Sequence, residues 1–327
     1  MLKRKASIIK YPSSISELLS LTVGGITQWI YVRGEDRHNP ILLILHGGPG
    51  TGQIGYARRW QKELEKHFVV VNWDQRGTGL SFSRKLSSDS MTISQFVNDT
   101  ISVTDYLCSV FQKDKIYLAG HSWGSIPGIL AAQKAPERYF RYFGISQLID
   151  YTVNDLLSYK KLLEKAKEGK NKKAVKALEN IGPPTWKNQH DEHVYQKFLQ
   201  ELGGGVSHDG KLIGSFLKQM IIGGEYTFSD MVNYLKGQHF SRAATKEELL
   251  KLNLNTRVQS LKIPIYFCMG KYDLTIPYEP AEAFLNHLSS PEKHWVWFDS
   301  SAHSPHFEER EKFAKLLHSE SKKDLKK

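Results

Sequence analysis

Apolar and polar residues follow two different rhythms along this chain of 327 residues, and the change between them divides it. In the first part, short apolar runs alternate with segments of helical spacing. Residues 26–33 alternate apolar and polar positions, as a strand buried on one face does. Residues 41–45 are continuously apolar, and residues 68–72 nearly so. Such runs predict parallel strands covered on both faces. Helical spacing predicts helices near 56–66 and over 93–111, where Phe96, Ile101, Val103, Leu107 and Phe111 fall broadly on one side. Residues 115–119 are strand-like again, and 125–133 form a helical pattern of small residues. Strands alternating with helices predict a parallel sheet with right-handed crossovers.

After about Gln147 the rhythm changes. Residues 150–255 contain no convincing strand pattern, only amphipathic helix candidates at 152–168, 172–181, 191–202, 211–222 and 227–235. Glycines and prolines punctuate them. The earlier rhythm resumes with a strand at 265–269, a helix at 279–288, a strand at 294–298 and a helix at 307–318. The expected organisation is an α/β core in two parts, residues 1–148 and 258–327, with a helical cap inserted at 149–257.

Composition narrows the class. Hydrophobic residues make up 40% and charged residues 24%, as in ordinary soluble globular proteins. Two cysteines, Cys108 and Cys268, are too few for a disulfide framework and read as buried thiols in a reducing compartment. The basic N-terminus lacks an apolar stretch behind it, and no run approaches transmembrane length. The expectation is a cytoplasmic protein with no membrane partner. The formal net charge is +11. The lysines cluster at 160–176 and in the tail at 322–327, at helical spacings among glutamates and without interleaved stacking aromatics. That predicts a solvated surface and no nucleic-acid partner. The 13 histidines are scattered without a paired ligand pattern, so no metal and no cofactor are expected.

One pentapeptide carries chemistry. Gly120, His121, Ser122, Trp123 and Gly124 form a G-x-S-x-G sequence between the strand at 115–119 and the helix at 125–133. This is the setting of a nucleophile elbow, in which a sharp turn lifts the serine hydroxyl above the sheet edge. A serine hydroxyl is a poor nucleophile at neutral pH, so it needs a base and an acid to orient that base. Asp273 follows the strand at 265–269, and His303 follows the strand at 294–298. Both reach the rim where open α/β sheets place their sites, in the chain order Ser, Asp, His. Asp299 and His306 are the rivals, Asp299 read as a turn or capping residue and His306 as one that caps or packs at the start of the last helix. The oxyanion of a tetrahedral intermediate needs two amide donors. Trp123 is the expected first. The loop of His46, Gly47, Gly48, Pro49 and Gly50 is expected to supply the second, through Gly48. That loop lacks the spacing of a phosphate-binding P-loop.

With these residues assembled, the chain resembles the α/β-hydrolase superfamily, and within it the prolyl iminopeptidase group of serine peptidases. The matching stretches are 46–50, 74–81, 120–125, 270–273 and 301–305. The resemblance implies an α/β-hydrolase fold with a mostly parallel sheet and a helical cap. It implies release of an N-terminal residue, often proline, from short peptides by an acyl-enzyme route. Ser122, Asp273 and His303 take the triad roles, and Gly48 and Trp123 those of the oxyanion donors. Asp74 and Arg76 would tie loops near the site, a surface ion pair being the alternative. The free amine of such a substrate needs a carboxylate partner, and Glu225 is the candidate, with a solvated loop glutamate as the alternative. A carboxylesterase or small-molecule acyl hydrolase is the alternative enzyme, since one triad cleaves esters and amides. A binding receptor without turnover is the alternative outside enzymes.

Overall fold

The computed structural model describes residues 4–184 and 188–324. The tail lysines Lys326 and Lys327 lie outside them. Eight strands form a single sheet: β1 (Ile15–Val23), β2 (Ile26–Gly34), β3 (Ile41–Leu45), β4 (Val69–Asp74), β5 (Ile116–His121), β6 (Tyr139–Ile145), β7 (Ile265–Gly270) and β8 (Lys293–Phe298). Their spatial order is β1-β2-β4-β3-β5-β6-β7-β8. The β1–β2 and β2–β4 pairs are antiparallel, and all later pairs are parallel. The continuous apolar run of β3 becomes the central strand, as its composition requires. Leu43 and Leu45 join the core under the helices Ile93–Phe111 and Ser125–Lys134. Leu42 and Ile44 point the other way, into the core under the last helix, Arg310–Asp324.

Two strands lie where no strand was expected. β1 pairs with β2 through a tight hairpin at Gly24 and Gly25, both at positive φ. Much of β1 stays half-exposed, so its apolar periodicity is blurred. β6 is buried except at Phe140, but its run is broken by Arg141. That guanidinium is itself buried, held by Asp324 at 2.8 Å and Glu292 at 3.1 Å. A paired cation at the sheet interior hides a strand from a reading of hydrophobicity.

Between β6 and β7, the long helices are Tyr151–Glu168, Lys172–Ile181, Gln189–Glu201, Leu212–Gly223 and Phe228–Leu250. The last extends well beyond the expected 227–235. Its second half packs small polar residues: Ser241 Oγ donates to Gly77 O at 3.0 Å, and Thr245 Oγ1 to Ser241 O at 2.8 Å. Those contacts leave no apolar stripe to read. Across the cap boundary, Tyr226 donates to Asp74 Oδ2 at 2.6 Å and Gln238 Nε2 to Thr51 Oγ1 at 3.0 Å. The cap is thereby seated on the loops that follow β3 and β4.

Candidate active site

The strand β5 ends at His121, and the next residue, Ser122, has φ +53°. A residue with a Cβ is disfavoured there by roughly 1–2 kcal/mol, so the surrounding structure must hold it. Two close approaches do so. A methyl group at Gly120 would lie 2.4 Å from Gly124 O, and one at Gly124 would lie 2.3 Å from Leu45 O. Only hydrogen at both positions lets β5, β3 and the following helix meet this closely. Ser122 retains 9% exposure at the rim.

His303 and Asp273 meet on the same rim. His303 Nδ1 lies 3.0 Å from Asp273 Oδ2. The carboxylate can only accept, so Nδ1 carries the proton and Nε2 keeps its lone pair. Asp273 Oδ1 accepts from the amides of Thr275 and Ile276, both at 2.9 Å. The carboxylate thus holds the imidazole, and two backbone amides hold the carboxylate. Asp299 lies elsewhere, exposed and beside Lys312 and Lys271. His306 is buried, and neither ring nitrogen has a hydrogen-bond partner. Burial, then the neighbouring His303, lowers its pKa to about 3.

His121, one of the two variable positions of the pentapeptide, holds the backbone of His303. Its Nε2 donates to His303 O at 2.7 Å, and Ser146 Oγ donates to the same carbonyl at 3.2 Å. No spacing signal marks either contact, because they span 182 and 157 residues. Burial drives the pKa of His121 well below 6.5. His121 and His306 therefore stay neutral beside His303.

The glycine loop lies against the elbow. A Cβ at Gly47 would sit 3.3 Å from Ser122 Cβ. His46 fastens the loop from below: its Nδ1 donates to Gly47 O at 2.8 Å, and its Nε2 accepts from the Gln75 amide at 3.2 Å. Burial lowers the His46 pKa to about 4, which keeps that neutral tautomer. Gly48 has φ +125°. The Trp123 indole is buried and donates to Gln75 Oε1 at 3.1 Å, leaving its backbone amide at the start of the turn Ser122–Gly124.

Three further residues sit differently from a surface reading. Asp74 and Arg76 are buried and do not form a surface pair. Arg76 binds Asp99 at 2.9 Å, and Asp74 accepts from Tyr226 and from the Leu80 amide. Glu225 is not a solvated loop glutamate: it is fully buried, 2.5 Å from Arg58 Nε and 3.4 Å from the Tyr31 hydroxyl. Its Oε2 has no protein hydrogen-bond partner. Burial raises its carboxyl above the usual range, against the pull of Arg58. Among the described residues, no cluster of three or more His, Cys, Asp or Glu could hold a metal ion. Nor is any helix among them long and apolar enough to cross a membrane.

The family model for the alpha/beta hydrolase fold matches residues 40–167. A Bacillus subtilis protein named "Probable aminopeptidase YbaC" is 43% identical over 312 residues, covering 95% of this chain and 98% of that protein. The chain belongs to the α/β-hydrolase superfamily. This α/β-hydrolase is also 27% identical over 292 residues to a proline iminopeptidase of Clostridioides difficile, covering 84% of this chain and 87% of the relative. The crystal structure of a Mycobacterium smegmatis proline iminopeptidase matches its fold with a TM-score of 0.71 at 17% identity, over 94% of this chain and 99% of the other. Within the superfamily, the chain is prolyl iminopeptidase-like.

Proposed function

We propose that this α/β-hydrolase is a serine aminopeptidase that releases the N-terminal residue, proline among the candidates, from short peptides in the cytoplasm. The observation that carries the mechanism is the His303–Asp273 pair on the rim that holds Ser122 at positive φ. The kinship with relatives named aminopeptidase and proline iminopeptidase supports the choice of substrate. In the first step His303 Nε2 takes the Ser122 proton as Oγ attacks the scissile carbonyl. Asp273 stabilises the imidazolium through Nδ1–H. The amides of Trp123 and Gly48 receive the oxyanion, aided by the N-terminus of the helix Ser125–Lys134. His303 returns the proton to the leaving amine. Water then repeats the sequence on the acyl-enzyme.

The substrate ammonium is assigned to Glu225, through the buried Oε2 that lacks a protein partner. Arg58 already balances this carboxylate, so its pull on an ammonium is weaker than that of a lone carboxylate. The same ion pair favours a second reading, in which Glu225 only ties cap to core and the enzyme cleaves esters of small acyl groups.

A panel of aminoacyl naphthylamides, their N-acetylated forms and nitrophenyl esters separates the two. The aminopeptidase reading expects N-acetylation and Glu225→Gln each to lower kcat/KM on amides by about tenfold or more, with esters little changed. Amide turnover indifferent to both would establish the esterase. Ser122→Ala should abolish both activities while the fold stays intact. Turnover near wild type in that variant would remove Ser122 from the nucleophile role.

A further inference from the structure

The loops that carry the acid and the base are each held by the cap. Residues 203–205 are three consecutive glycines between two cap helices. Gly204 O accepts from the amides of Leu274 at 3.0 Å and Thr275 at 3.2 Å, immediately after Asp273. Gly205 O accepts from the His303 amide at 3.2 Å. From the first cap helix, Asn154 Nδ2 adds a bond to Thr275 O at 3.0 Å. The close approach depends on the absence of a side chain, because a Cβ at Gly204 would lie 2.6 Å from Leu274 Cβ.

Glu308 closes this arrangement from the core side. Its Oε1 accepts from the amides of Ala302 at 2.9 Å and Ser304 at 3.3 Å, the two residues that flank His303. Its Oε2 accepts from the His208 amide at 2.7 Å, in the same cap loop. The His208 ring stacks on Tyr272, beside Asp273, with centroids 3.8 Å apart. One carboxylate therefore brackets the base and clasps the cap.

We propose that Glu308 is a positioning residue for His303, and that through Glu308 and the 203–205 strap the seating of the cap sets the geometry of the triad. The proposal rests on the reading of His303 as base and Asp273 as its orienting acid. The cap is then more than a wall of the substrate pocket: its departure loosens the base.

Two substitutions at Glu308 divide its contacts. Glu308→Ala removes all three. Glu308→Gln keeps an oxygen for Ala302 and Ser304 but turns an amide N–H₂ toward the His208 N–H, which breaks the clasp alone. On an aminoacyl naphthylamide, Glu308→Ala should lower kcat on the order of 10–100-fold with KM nearly unchanged, as misplacement of a reacting group does. Glu308→Gln and Gly204→Ala should fall between it and the wild type. The low-field proton resonance of the His303–Asp273 bond should shift or broaden in Glu308→Ala, although neither partner is altered. A purely structural role would move the melting temperature and leave that resonance in place. If Glu308→Ala does not fold, Glu308→Gln decides. A folded Glu308 variant with wild-type kcat and an unchanged resonance overturns the proposal. Full turnover in His303→Ala would instead overturn the base assignment beneath it.

Discussion

The site separates two histidines three positions apart by what each nitrogen meets. His303 has a carboxylate on Nδ1, whereas His306 has no hydrogen-bond partner on either nitrogen. With His303 as the proposed base and Ser122 as the proposed nucleophile, His303→Ala should reduce turnover nearly as far as Ser122→Ala does, since members of a triad act as a unit. His306→Phe should leave most of it, and a reversed order in steady-state assays would exchange the two roles. His306 should instead appear in stability. Its pKa is about 3 in the folded protein against 6.5 for the unperturbed group, so between these values the unfolded chain binds more protons. That contribution is complete above 6.5 and is lost as the pH falls toward 3. Urea unfolding from about pH 7 to pH 4 should show a shallower acid loss in His306→Phe than in wild type, by up to ~3 kcal/mol. Equal slopes would mean that the imidazole is solvated.

At the scale of elements, the elbow joins three segments through two glycines. β5, the loop after β3 and the helix Ser125–Lys134 cannot converge with a methyl group 2.3 Å from Leu45 O. Gly124→Ala should destabilise the protein by ~1–3 kcal/mol through overpacking. It should also cost turnover, because relief requires the turn at Ser122 to move. Chemical denaturation and kcat measured on one preparation test both, and a variant that is stable and fully active would mean that the elbow yields cheaply. The two strands missed in the sequence follow from similar local physics. Arg141 hides β6 because the carboxylates that neutralise its charge, Asp324, Glu292 and Glu320, lie far along the chain. The half-exposed β1 has a blurred pattern of its own, and the Gly24–Gly25 pair at its turn into β2 is the local signal that could have found it.

For the whole molecule, the joint between cap and core combines an aromatic cluster, with Phe216 of the cap on Tyr56 and Phe307 of the core, and a buried polar contact. Asp74, at the end of β4, receives the hydroxyl of Tyr226 from the cap. Burial raises the Asp74 pKa to about 7 from 3.8, so the folded state binds the proton more tightly than the unfolded chain. Stability from this group is therefore lost as the pH rises from 3.8 toward 7. Tyr226→Phe removes a donor to the ionised form. It should cost ~1–3 kcal/mol, more at pH 8 than at pH 5, where Asp74 is already protonated. Denaturant titrations at the two pH values check this, and a cost independent of pH would place the loss in packing alone.

The sequence by itself determined the α/β-hydrolase core, the helical cap, and Ser122, Asp273 and His303 as the candidates for chemistry. Each is written locally: a buried strand as a run of apolar residues, an elbow as small residues at fixed offsets, a loop residue by the strand before it. What only the tertiary structure decided depends on groups distant in the chain. The orientation of the His303 ring, the burial of Glu225 against Arg58 and the clasp of Glu308 on the cap loop arise when surfaces from different elements close on one another. Hydrogen-bond satisfaction in a buried interior is a property of three-dimensional neighbours, and periodicity along one chain carries no record of which neighbours will meet.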